Sequence, residues 1–222
     1  GSHPVSYEAA AWVEPLAMFG DPDFVSPVGG DGIFEQPLRA IGQDIADKLT
    51  DCQSNNGYWH YQCDDADSVD SSTNGWAPES LRMLRRRFGT ETYDWAMDKQ
   101  RTMLDSYCNA SGCFYSSWKP ELSGNGLTSY GWTENEIYDP AEPVSGDNIS
   151  GLLTAAQGVN FGAKGLYYMY ATTKGLRAFS PEIRTFPNGT NWHAGFIDYL
   201  LNKQAADGSC NWVDPSYVNC TG

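Results

Sequence analysis

Three segments of this chain end a run of helix-forming residues in the same way, and that recurrence narrows the folds open to it. Gln53-Ser-Asn-Asn-Gly57-Tyr-Trp59 follows one run. Gln204-Ala-Ala-Asp-Gly208-Ser-Cys-Asn-Trp212 follows another. Cys108-Asn-Ala-Ser-Gly112-Cys-Phe114 is a degenerate third copy, with Cys for Gln and Phe for Trp. The plan is a helix, a glutamine, three residues, a glycine and a nearby aromatic. Glycine supplies the left-handed C-terminal cap. The glutamine amide reaches backbone groups left open at the turn, and the aromatic folds back over the helix end. Such a device ties each helix end to its neighbour, so successive helical hairpins stack side by side.

The cysteines follow the repeat. There are six, Cys52, Cys63, Cys108, Cys113, Cys210 and Cys220, and six allow 15 connectivities. Their order suggests three local pairs, Cys52–Cys63, Cys108–Cys113 and Cys210–Cys220, one in the loop of each copy. None has the C-x-x-C spacing of a zinc knuckle. Gly1-Ser2-His3 reads as an expression-tag remnant, which leaves His60 and His193 as the remaining histidines and makes a zinc site hard to build. Disulfides are favoured, and they imply an oxidising location: secreted, cell-surface or periplasmic.

Charge excludes one class of partner. The net charge is −14, with 14 basic and 28 acidic side chains. Residues 1–80 hold 14 acidic and 2 basic residues, whereas 81–120 hold 4 acidic and 7 basic. An acidic surface repels phosphate backbones, so nucleic acid is not an expected partner. No apolar run approaches the length of a membrane span. Asp65, Asp67 and Asp70 form a candidate calcium site, since hard cations take several oxygen ligands; a solvated turn with a helix N-cap explains the same carboxylates. No other cofactor is expected.

Apolar periodicity predicts an all-α domain over 4–222. Phe34, Leu38, Ile41, Ile45 and Leu49 share one helix face, with Pro37 in the first turn. Ala77, Leu81, Leu84 and Phe88 repeat the pattern, Ser72 or Thr73 serves as N-cap, and Gly89 closes the helix. Arg85, Arg86 and Arg87 in that last turn complement the helix dipole. Further helices are expected over 91–107, 148–159, 163–179 and 193–206, and around 7–19, where Pro15 kinks the helix or marks its start. Short extended pieces are expected near 58–61 and 114–118. The stretch 118–147, rich in Gly, Pro, Ser and Asp, reads as a long ordered loop of the kind that often carries function.

These residues resemble the QW motif of the squalene cyclase and prenyltransferase repeat family. Tyr167-Tyr168-Met169-Tyr170-Ala171 through Leu176-Arg177-Ala178-Phe179 is similar to that family's aromatic-rich inner helix. Trp192 through Leu200-Leu201, with Gln204-x-x-Asp207-Gly208, is similar to its outer helix and turn. Asp70-Ser-Ser72-Thr73-Asn74-Gly-Trp76-Ala77 is similar to the D-x-S segment that opens an inner helix. The likeness touches about two-thirds of the chain and implies an α/α-toroid, a partial or complete ring of antiparallel helical hairpins.

The chemistry of that family needs motifs absent from this sequence. A protonating cyclase uses D-x-D-D, with one carboxylic acid held protonated in a dry cavity. Here the nearest acidic run is Asp64-Asp65-Ala66-Asp67-Ser68-Val69-Asp70, which matches neither D-x-D-D nor the magnesium-binding D-D-x-x-D. Asp65, Asp67, Asp70 and Glu79 are the candidate catalytic carboxylates. For polysaccharide chemistry, where paired carboxylates line a groove, Glu79, Glu134, Glu136 and Asp147 are candidates. Trp59, Trp76, Trp132 and Tyr168 are the candidate sugar platforms, but core packing is the preferred account of most of them, because aromatics dominate core burial. The expected function is a noncatalytic module, secreted or on a cell surface, alone or as part of a larger surface protein. It would bind a protein or glycan through a concave aromatic face or through 118–147. A toroid enzyme, acting as a terpene cyclase or prenyltransferase or on polysaccharides, is the alternative.

Overall fold

The computed structural model describes residues 6–30, 33–60, 62–63, 71–109, 111–114, 118–119, 123–133, 146–158, 161–179, 181–204, 206–208, 211–214 and 217–219. It is mostly helical. Eight α-helices are formed among these residues: α1 Ser6–Phe19, α2 Leu38–Asp51, α3 Ser71–Phe88, α4 Asp94–Tyr107, α5 Ser123–Thr133, α6 Gly146–Gly158, α7 Phe161–Ala178 and α8 Trp192–Lys203. Short strands β1 Cys108–Asn109, β2 Gly112–Phe114 and β3 Trp118–Lys119 make one antiparallel sheet, and β4 Asn211–Asp214 pairs antiparallel with β5 Tyr217–Asn219. The fold divides into two compact units, Gly1–Met103 and Leu104–Gly222.

In the first unit α1 packs on α3, and α2 packs on both. The core joins Val13 and Ala17 of α1, Ala46 and Leu49 of α2, and Ala77, Leu81, Leu84 and Phe88 of α3, closed by Trp59 and Met97. Ser80 Oγ bonds the Ala10 carbonyl at 3.0 Å, stitching α3 to α1. Pro15 lies within α1. Gly89, at φ +66°, ends α3 as its periodicity predicts, and its N–H donates to the Arg85 carbonyl at 3.0 Å.

In the second unit α5 packs on α7, α6 packs on α5, and α8 packs on α7. Helix α5 corrects the expectation of a long loop over 118–147. Its sequence, Ser-Gly-Asn-Gly-Leu-Thr-Ser-Tyr-Gly-Trp-Thr, has poor helix propensity, but nearly every residue is buried. Packing overrides propensity here because the glycines let two backbones meet. A Cβ on Gly124 would stand 2.5 Å from the Thr172 nitrogen, and one on Gly175 would stand 2.8 Å from the Gly124 oxygen. Hydroxyls also back-bond within α5, from Thr128 to Gly124 at 2.9 Å and from Ser129 to Asn125 at 3.0 Å.

Two of the three expected local disulfides are formed among the described residues, Cys52–Cys63 and Cys108–Cys113. The second sits across the β1–β2 pair, where Cys108 and Cys113 are opposite one another. Cys210 and Cys220 lie outside the described residues. Three helix starts also differ from expectation. Phe34 is exposed and precedes α2, whose N-cap is Pro37. Helix α3 begins at Ser71, which places Ser72 and Thr73 inside its first turn rather than at the cap. Helix α4 begins at Asp94, an acidic residue suited to a helix N-terminus.

Candidate functional site

The clamp turns are the best-defined feature that the repeat predicts. Gln53 Nε2 donates to the Gly57 carbonyl at 3.1 Å and to the Ala96 carbonyl of α4 at 2.7 Å. Gln204 Nε2 donates to the Gly208 carbonyl at 2.7 Å. Both glycines adopt the left-handed region, Gly57 at φ +92° and Gly208 at φ +85°, and so does Gly112 of the degenerate copy, at φ +102°. Trp59 is wholly buried and its indole donates to the Leu49 carbonyl at 2.6 Å, folding back over the end of α2. The turns differ in depth. A Cβ on Gly57 would stand 2.2 Å from the Lys99 carbonyl oxygen, whereas the nearest atom to one on Gly208 is Gln204 Nε2 at 3.8 Å.

The candidate sugar platforms separate into two kinds. Trp59 and Tyr168 are core residues, and burial removes their ring faces from any ligand. The Tyr168 hydroxyl donates to the Ala156 carbonyl, tying α7 to α6. Burial pushes its phenol from 10.0 up to about 12, with the Thr172 side chain acting in the opposite direction. Trp76 of α3 and Trp132 of α5 are only partly buried, so of the four they alone keep surface for a partner.

Among the candidate carboxylates, Glu79 is buried on α3. It shares that helix with other buried polar groups. Asn74 Oδ1 accepts from the Trp59 N–H at 2.9 Å, and Gln100 Nε2 donates to the Asn74 carbonyl at 2.7 Å. These bonds brace the turn before α3 and the helix beside it, a positioning role rather than a chemical one. His60, also buried, meets no hydrogen-bond partner at either ring nitrogen and stacks edge-on to Tyr58 at 4.7 Å. Asp65, Asp67, Asp70, Glu134 and Glu136 lie outside the described residues, as does most of 118–147 apart from α5. Asp147 lies in the first turn of α6. Among the described residues no group of three His, Cys, Asp or Glu side chains could hold a metal ion. No described helix is long and apolar enough to cross a membrane.

No family model, curated protein or solved structure matches this chain.

Two cavities formed by described residues lie elsewhere, both lined in part by the segment 181–191. One, of about 410 Å³, is lined by residues that include Arg177, Glu182, Arg184 and His193. The other, of about 500 Å³, includes Leu153, Glu182, Arg184 and Phe186. Reading the sequence for aromatic platforms and paired acids passes these residues over. The signal that marks them is a local reversal of charge: residues 164–184 contain Lys164, Lys174, Arg177 and Arg184 against one carboxylate, Glu182, in an acidic chain.

Proposed function

We propose that this chain is an extracellular, noncatalytic α/α-repeat module of the cyclase–prenyltransferase kind. In this reading α1, α3, α5 and α7 are inner helices of a partial or complete toroid, and α2, α4, α6 and α8 are outer ones. The ligand is a protein or glycan, and Trp76 in the first unit and Trp132 in the second are each a candidate aromatic contact for it. The observation that carries the reading is the packing of alternate helices, α1 on α3 and α5 on α7, together with two clamp turns of one geometry. An inner layer of this kind packs helix to next-but-one helix, as hairpin repeats do. The disulfides support an oxidising location.

The noncatalytic part rests on sequence, which has neither acidic motif of the cyclases. The test is a panel of immobilised polysaccharides and surface proteins, probed with the wild type, Trp76→Ala and Trp132→Ala. Binding that falls about tenfold or more in either variant, with no product released from the bound polysaccharide, is the expected result. Chain cleavage by the wild type, or binding indifferent to both tryptophans, defeats it.

A further inference from the structure

The segment between α7 and α8 is held at both ends. The Ile183 N–H donates to the Leu176 carbonyl at 3.0 Å, and the Ile183 carbonyl accepts from the Trp192 indole at 2.6 Å. Thr185 bridges to Asn191, the Phe186 N–H donates to the Thr190 carbonyl at 2.9 Å, and the Asn188 N–H donates to Gln157 Oε1 at 3.0 Å. Ile183 and Phe186 are buried anchors, so the residues between and before them face outward. Arg184 is therefore presented on a braced backbone at a place where both cavities meet. A recognition side chain on a braced element loses less freedom on binding than one on a mobile loop.

The charges here are incompletely used. Among the described residues Arg184 forms no ion pair. Arg177 has one at 3.8 Å, to Glu182, too long for a hydrogen bond and open to solvent on both sides. Lys174 turns away to Tyr170, whose hydroxyl it meets at 2.9 Å. Among the described residues the first cavity thus collects two guanidinium groups and His193, with Thr173 and Asn191 as hydrogen-bonding groups and one carboxylate, Glu182. Trp192 lines it too but is buried, so it offers no face for stacking.

We propose that this cavity binds a hydroxylated carboxylate with the chemistry of a uronic-acid residue. A guanidinium fork matches a planar carboxylate in bidentate fashion. Glu182 only accepts hydrogen bonds, so it favours a ligand that also carries several hydroxyl donors, and its negative charge disfavours the more highly charged phosphate. The volume lies in the range of small-ligand sites. The residues are separate from Trp76 and Trp132, so this site and the tryptophan reading stand or fall apart.

The experiment is a calorimetric or NMR titration of the whole chain at low ionic strength with galacturonate, galactose and inorganic phosphate. Millimolar binding of galacturonate is expected for a ligand of this size, about tenfold tighter than galactose or phosphate. Arg184→Gln, an exposed change that leaves the anchors in place, is expected to weaken galacturonate about tenfold. Glu182→Gln is expected to narrow the preference over phosphate. Equal affinity for galacturonate and galactose, phosphate binding as tight as galacturonate, an unaffected Arg184→Gln variant, or no galacturonate binding at all would each overturn the proposal.

Discussion

The α1–α3 and α5–α7 pairs are both contacts between alternate helices, but they are made from opposite materials. The core around α1 and α3 interlocks branched and aromatic side chains, among them Val13, Leu81, Leu84 and Phe88. Helices α5 and α7 meet instead at Gly124, Gly131 and Gly175, close enough that an added Cβ would strike the facing helix. Side chains can shift or change rotamer to absorb a neighbour's new atom, but backbone cannot. The first unit should therefore tolerate small enlargements at its helix contacts, and the second should not.

The sharpest way to break that contrast is a matched pair of glycine substitutions. Gly124→Ala puts a methyl group 2.5 and 2.8 Å from the Thr172 nitrogen and the Ala171 carbonyl carbon. It is expected to cost about 3 kcal/mol or more. Gly42→Ala in α2 meets only side-chain atoms of Phe88 and Leu84, at 3.0 and 3.2 Å. Helix propensity favours alanine there by about 1 kcal/mol, so the net change should lie within about 1 kcal/mol of zero. Urea unfolding of both variants decides the matter; similar losses would mean that the two helix pairs yield alike.

The second contrast is polar. Helix α7 buries the Tyr168 phenol, and the sign of its effect follows from the raised pKa. Below pH 10 both folded and unfolded states hold the proton, and the contribution is complete. Between pH 10 and about 12 the unfolded tyrosine ionises while the folded one does not. The unfolded state then binds fewer protons, so stability falls as pH rises, by about 2–3 kcal/mol across the window. Tyr168→Phe should flatten that slope while losing about 1 kcal/mol for the bond to Ala156. Stability curves of wild type and variant that stay parallel from pH 9 to 12 would show that this phenol is not what titrates.

The glycine contrast also explains what the sequence made legible. Helices α2, α3, α7 and α8 carry apolar residues at helical spacing, and their existence follows from that spacing. Helix α5 carries three glycines in eleven residues, and its helicity comes from the surface of α7, which no local pattern encodes. The clamp turns were legible because glycine at positive φ and a nearby glutamine are local requirements. Core packing was the expected fate of most of the aromatics, but which of them are buried was not legible, because a tryptophan that caps a helix end and one that faces a ligand look the same along the chain. Arg177 and Arg184 meet at one cavity only because Ile183 returns to bond Leu176, a tertiary fact.

The clamps themselves give the finest test. Gln53 and Gln204 occupy equivalent places, yet Gln53 reaches a second carbonyl, Ala96 of α4, and is partly buried, whereas Gln204 is exposed and, among the described residues, reaches only its own turn. Removing a buried amide leaves those carbonyls without their donor, while water replaces an exposed one. Gln53→Ala should cost about 1–2 kcal/mol, and Gln204→Ala no more than about 0.5 kcal/mol. Thermal unfolding of the two single variants measures the gap. If Gln204→Ala proves as costly as Gln53→Ala, the closing of the turn, rather than the bond to the next helix, is what the glutamine contributes. The repeat would then be a set of independent caps and not a chain of linked hairpins.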